Sequence, residues 1–323
     1  MHIDPYITLG SAVIGLLVGL TGVGGGALMT PMLIMVFGIK PSTAISSDLV
    51  AAVLMKPFGA AVHMRKGTTN LRLVAWMALG SVPAAFLGAF LLHLLGNTAG
   101  AEQNIQKVLG VALLVGVASM IVRAVLDRRS GNARNAVATQ IVVRPWATLA
   151  IGLVGGLMVG MTSVGSGSMM IVLLLFTYPA IGAKQLVGTD LAQAVPLTMA
   201  AACGALLFGH IEVAVTASLV LGCVPAVIVG SFFSSRAPDG VIRPIIGVAV
   251  FASGLKYIGL SPIALGWTLV AVLTVAFIVW AATFHPLQRS AHAVLGEGVD
   301  DQGAPLDTVR APSPEALRGV SRL

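Results

Sequence analysis

Charge is scarce in this chain. Only 10% of its 323 residues are Asp, Glu, Lys or Arg, against roughly a quarter in a soluble globular domain. That excludes a soluble enzyme, a disordered chain and a nucleic-acid-binding domain. Acidic residues are the rarer sign, 12 against 19 Lys plus Arg, a formal balance of +7. The basic residues sit mostly in loops between apolar spans, so they speak to orientation in a membrane and not to an acidic partner. Cysteine is nearly missing. Cys203 and Cys223 each lie in an apolar stretch and are expected to be small buried residues, not a disulfide framework. Met1–Pro5 holds no basic stretch, so no cleavable signal peptide is expected. There is no Walker A pattern and hence no ATPase motor. No Cys/His cluster has metal spacing, so neither a metal nor another cofactor is expected. Ser166 sits between Gly165 and Gly167, but no intramembrane His is supplied as its base.

What is abundant is apolar sequence: 57% of residues are hydrophobic and the mean hydropathy is +0.95. This reads as an all-α polytopic membrane protein with about 8 to 11 membrane helices. The apolar segments are Tyr6–Ile39, Ser42–Met64, Leu73–Leu95, Val108–Val122, Trp146–Gly182, Leu186–Phe208, Val213–Ser234, Val241–Leu255 and Ile263–Phe284. Most suit one span of about 20 residues. Tyr6–Ile39 and Trp146–Gly182 are too long for one span, and each has a Gly-rich break near its middle. The breaks predict broken helices or helical hairpins. As hairpins, their limbs would run over Tyr6–Leu20 and Ala27–Phe37, then Ala147–Met161 and Ser168–Tyr178.

The chain repeats itself. Gly19–Met29 aligns with Gly160–Met170 at an offset of 141, and beyond one inserted residue the offset is 142. Ser47-Asp48-Leu49 then meets Thr189-Asp190-Leu191, Gly67 meets Gly209, Gly80 meets Gly222, Pro83 meets Pro225 and Gly88 meets Gly230. Matched Gly, Pro and Asp at a fixed offset point to internal duplication, an architecture common in secondary transporters. Arg65, Lys66 and Arg72 make the loop after Met64 basic, while its repeat equivalent after Phe208 holds only His210 and Glu212. The basic loops belong in the cytoplasm, so the two halves are expected to have inverted topology. The organisation is then a first transmembrane repeat (1–130), a basic cytoplasmic linker (131–144), a second repeat (145–260), a terminal transmembrane helix (261–284) and a disordered cytoplasmic tail (285–323). The N-terminus falls outside and the C-terminus inside. Single lysines at 40, 107 and 256 fall on the outer side, against the charge rule.

Three charged residues lie well inside apolar spans: Asp48, Lys56 and Asp190. Burying them in lipid is costly, so each is expected to face protein or water. Asp48 and Lys56 are about 12 Å apart along one helix face, too far for direct contact. Lys56 maps onto Thr198, so the cation is not duplicated. In a functional reading Lys56 attracts an anion, and one Asp carries a proton. In a structural reading the aspartates brace exposed backbone N–H groups. His63, beside the basic loop, suits either a proton relay or an interfacial position. Thr21–Gly26 and Thr162–Gly167 each precede an apolar half-helix whose first N–H groups are unpaired. Two such ends meeting would form an anion site from backbone and hydroxyls, with Thr21, Thr162, Ser163 and Ser166 as donors. Otherwise the glycines serve only tight turns and close packing.

Gly19–Thr30, the Ser46-Ser47-Asp48-Leu49 and Gly188-Thr189-Asp190-Leu191 pair, and the stretch Lys56–Gly67 together resemble the TauE/SafE sulfite exporter family. The resemblance covers about Gly10 to Leu260. It implies a permease of the bacterial inner membrane moving small sulfur-containing anions such as sulfite or organosulfonates. It places signature positions at Gly22, Gly24, Gly25, Gly26, Asp48, Lys56, Gly165, Gly167 and Asp190. Ser163 and Ser166 depart from the Gly-rich pattern in the second copy. The reading is a secondary transporter working by alternating access, with a small anion and the bilayer as partners and no nucleic acid. A homo-oligomer is left open. A passive anion channel and an intramembrane enzyme using Asp48 and Asp190 are the alternatives.

Overall fold

The structure, a computed structural model, describes residues 3–21, 24–65, 67–96, 100–130, 141–179, 181–233, 239–261 and 263–268, with 270, 271 and 274 beyond them. The linker at 131–140 and the tail from 285 lie outside the described residues. Among the described residues there are α-helices and no strand. They are α1 (Pro5–Thr21), α2 (Gly26–Met35), α3 (Pro41–Arg65), α4 (Leu71–Gly96), α5 (Ala101–Ser130), α6 (Pro145–Thr162), α7 (Met169–Thr177), α8 (Ala183–Phe208), α9 (Val213–Phe233) and α10 (Asp239–Ile258). Residues 263–268 are also helical, where the terminal helix is expected. The chain divides into two units at 265/266. In the second unit only 266–268, 270, 271 and 274 are described.

Six helices are long and apolar enough to cross a membrane: α3, α4, α5, α6, α8 and α9. Their outer surfaces carry Leu79, Leu87, Val111, Leu153, Leu206, Leu221 and Phe232, all exposed. Such a surface belongs in hydrocarbon, where exposed apolar side chains cost nothing. Cys203 corrects an expectation. It is exposed, while Cys223 is buried, and both are free thiols. Cys203 shares a stripe of α8 with exposed Met199 and Leu206. An apolar run does not by itself separate the lipid-facing side of a helix from its protein-facing side.

The two Gly-rich segments fold back as hairpins. Gly10 on α1 lies against Met32 of α2 and the Phe37 ring beyond it. In the second half, Thr148 on α6 hydrogen-bonds the Tyr178 hydroxyl beyond α7 at 2.5 Å, and the Arg144 N–H donates to the same hydroxyl at 2.8 Å. A straight broken helix would hold Gly10 and Met32 about 33 Å apart at 1.5 Å per residue, so the chain must reverse.

Glycines let helices approach until backbones touch. A side chain at Gly15 would meet the Cys223 carbonyl, and one at Gly19 the Val227 carbonyl. The same seam recurs in the other half: Gly156 lies on the Ser81 carbonyl and Gly160 on the Ala85 carbonyl. These four pairs are related by the sequence offsets. The core repeats the exchange. One cluster of buried residues joins α1, α2, α3 and α9 around Leu33 and Leu219. Another joins α6, α7, α8 and α4 around Leu174 and Met77. A third holds α5 against α10. The matched helices α3 and α8 run antiparallel: Ser46 at the start of α3 touches Gly209 after α8, and Thr68 after α3 touches Gly188 near the start of α8.

Filling a seam is therefore destabilising. Gly160→Val and its mate Gly19→Val are each expected to lower the melting temperature of the detergent-solubilised protein, since overpacking costs about 1–3 kcal/mol. Gly247→Ala, in α10 with no atom within 4 Å of the added carbon, is expected to leave it unchanged or slightly raised. A thermal-shift measurement on the three variants checks this.

Candidate functional site

The hairpin tips pack against one another. A side chain at Gly26 would collide with the Ser163 carbonyl, and one at Gly24 would come within 2.5 Å of the Ser166 carbonyl. Gly25 faces the Met55 side chain. The second tip turns through Ser163 at φ 59°, Gly165 at φ 111° and Gly167 at φ 103°. Left-handed backbone of this kind is open to glycine and strained for a serine. Gly22 lies outside the described residues. Neither half-helix has a side-chain cap at its N-terminus, Gly25 before α2 and Ser168 before α7. The Thr21 hydroxyl donates to the Leu17 carbonyl and the Thr162 hydroxyl to the Met158 carbonyl, each at 2.7 Å. Both threonines thus bond back into their own helices. Between the tips, Gly116, Met120 and Val250 lies a cavity of about 10 Å³. It has room for about one water molecule. An anion of several atoms enters only if the tips separate.

The three intramembrane charges meet these tips. Lys56 reaches out of α3 to the second hairpin tip, and its Nζ donates to the Ser166 hydroxyl at 2.8 Å. Asp48, fully buried, accepts from the Thr30 hydroxyl at Oδ2, 2.9 Å. Ser163 stands beside it. Asp190, also buried, lies against the backbone of Gly167. Lys56 lies in the electrostatic field of both carboxylates. Each aspartate keeps one oxygen, Oδ1, buried with no hydrogen-bond partner. Thr198, the repeat mate of Lys56, is buried and donates to its own helix at the Ala194 carbonyl, 2.7 Å. The arrangement is one asymmetric cluster built from two similar halves. Two carboxyl oxygens in it are ready to take a proton or a donor.

Two features escaped the sequence reading. The first is Arg123, the residue that follows the apolar segment Val108–Val122. Helix α5 continues to Ser130, beyond the apolar segment Val108–Val122, and so carries Arg123 as a helical residue. From there it acts electrostatically on Asp190. The second is an asymmetry between the ends of α3 and α8. After α3, Thr69 donates to the Gly188 carbonyl at 3.3 Å and the Asn70 N–H to the Thr189 hydroxyl at 3.1 Å. His63 belongs to this closed end, its Nδ1 3.0 Å from the Thr68 hydroxyl. At the other end, around the start of α3 and the end of α8, a cavity of about 290 Å³ opens. Among the described residues no group of three or more His, Cys, Asp or Glu could hold a metal ion.

Comparison with known proteins agrees with this architecture. The family profile described as "Sulfite exporter TauE/SafE" matches residues 7–257. The chain is 40% identical over 246 residues to the probable membrane transporter protein YjnA of Bacillus subtilis, covering 76% of this chain and 96% of that protein. It is 31% identical over 192 residues to a probable membrane transporter protein of Xylella fastidiosa, covering 57% of this chain and 69% of the relative. The probable membrane transporter protein YdhB of Bacillus subtilis matches at 21% identity over 242 residues, 75% of this chain and 95% of that one. No solved structure matches.

Proposed function

The chain belongs to the TauE/SafE sulfite exporter family and is a multi-pass membrane transporter, and on that premise we propose that it carries a small sulfur-containing anion by alternating access, coupled to a proton. The observation that carries this reading is the Lys56–Ser166 hydrogen bond. It sets a cation at the junction of the two hairpin tips, between two buried carboxyl groups, with uncapped half-helix N-termini nearby. Backbone N–H groups, hydroxyls and one ammonium group are the donors a small oxyanion needs.

Charge balance supports the coupling. Asp48 and Asp190 are offset by Lys56 and Arg123. An anion entering this cluster leaves one negative charge uncompensated in a low-dielectric interior, which is costly. One proton on either carboxyl restores the balance. Anion and proton then bind together and leave together. The antiparallel matched helices and the duplicated glycine seams support an inverted repeat, and the closed end after α3 beside the cavity at its start supports two alternating exits.

The test is flux in sealed proteoliposomes loaded with sulfite, sulfate, thiosulfate, sulfoacetate or acetate under an imposed pH gradient. Accumulation of one anion against its own gradient, lost when the pH gradient is collapsed, is the expected result. Downhill flux indifferent to pH would replace the coupled transporter with a passive channel.

A further inference from the structure

We propose that the cavity at the start of α3 is a second binding site on the transport path, and that it selects a small monoanion carrying a hydrogen-bond donor. The proposal rests on the reading of the chain as an anion transporter and names the chemistry of what it transports. The cavity holds about 290 Å³ and is lined by Lys40, Ser42, Ser46, His93, Glu102 and His210 among others. That volume suits an ion of a few heavy atoms with some of its water.

The donors come from three elements. Helix α3 begins at Pro41, which has no N–H, and the Ala44 N–H donates to the Lys40 carbonyl at 2.9 Å, so the donors its positive dipole end brings to this cavity are the N–H groups of Ser42 and Thr43. Lys40 stands just before it. The His93 and His210 rings stack with centroids 6.5 Å apart. A further observation points to a ligand: the Ser46 hydroxyl borders the cavity, only 1% of the residue is exposed, and its oxygen has no hydrogen-bond partner. A buried hydroxyl left unpaired is costly, and an acceptor in the cavity would relieve it.

Glu102 decides which anion fits. Its Oε1 accepts from the Ser42 hydroxyl at 3.1 Å. Its Oε2 is buried with no partner. A carboxylate among donors repels an anion that offers only acceptors. It favours one that brings its own hydrogen. The acceptor atoms of the ligand go to Lys40, Ser46 and the histidines, and its donor goes to Glu102 Oε2. On α3 the cavity reaches Ser46 and Leu49, which flank Asp48 in sequence, so an ion held there stands at the entrance to the central cluster. Lys40, which sat awkwardly with the charge rule, has a role in this site.

The experiment is calorimetric titration of the purified full-length protein in detergent at mildly acidic pH. The probes are hydrogensulfite, which brings an acidic hydrogen, aminomethanesulfonate, which brings an ammonium group, and methanesulfonate, which brings neither. At least one of the first two is expected to bind about tenfold more tightly than methanesulfonate, and which one does so identifies the donor. Glu102→Ala is expected to abolish the preference, and Glu102→Gln, which keeps an acceptor oxygen, to retain part of it. Equal binding of all three probes, no binding of any, or a preference unchanged in Glu102→Ala would each overturn the proposal. Anion flux in proteoliposomes judges the transporter reading separately: flux together with an unaltered preference in Glu102→Ala removes this site alone.

Discussion

Replacing Lys56 by alanine is expected to lower anion flux by about a hundredfold, since a hydrogen bond to a charged group contributes about 1.5–3 kcal/mol. The loss has two parts. The ammonium group is the donor to Ser166 at 2.8 Å, so the second hairpin tip loses its bond to α3. Asp48 and Asp190 also lose the cation whose field both share. The second part threatens the fold as well as the flux, because two buried carboxylates are then left with less compensation. The double variant Lys56→Ala/Asp190→Asn separates the two. It restores the charge balance and is expected to melt near the wild-type temperature, yet still to transport poorly. Flux in proteoliposomes and a thermal melt of both variants check this. Normal flux through folded Lys56→Ala protein would remove Lys56 from the site.

Much of this cluster was legible in the sequence, because charge inside an apolar run has few innocent explanations. Asp48, Lys56 and Asp190 stood out on that ground alone. The glycine breaks and the fixed offset also predicted the hairpin limbs to within two residues at each end. What could not be read was partnership across the repeats. Lys56 bonds to Ser166, which is 110 residues away, and no local periodicity reports such a contact. Nor did sequence report that the Thr21 and Thr162 hydroxyls each donate to their own helix four residues back, as a threonine in a helix can. Arg123 was hidden because hydropathy ends a helix where charge begins, whereas α5 runs on to Ser130. The outer cavity was hidden for another reason. Lys40, His93, Glu102 and His210 are each unremarkable at a helix end, and only the packing of α3, α4, α5 and α8 brings them to one place.

Neutralising either aspartate is expected to break coupling while sparing exchange. In the intact cluster two carboxylates face Lys56 and Arg123, so an incoming anion needs a proton to balance it. Asp190→Asn supplies that balance permanently. The anion then binds without a proton and has none to release. Exchange of external for internal anion needs only binding and reorientation, so it is expected to stay within about threefold of wild type, while uphill accumulation driven by a pH gradient falls to background. Asp48→Asn is expected to show the same split less cleanly, since its Oδ2 also accepts from Thr30 at 2.9 Å and an amide turned with its nitrogen toward Thr30 loses that bond. The reciprocal measurement is binding. Because linkage runs both ways, anion affinity in the wild type is expected to rise as pH falls, and in Asp190→Asn this dependence is expected to flatten. If both asparagine variants still accumulate anion against its gradient, the carboxyls serve only to brace the hairpin tips, and the proton, if one moves at all, travels by another group.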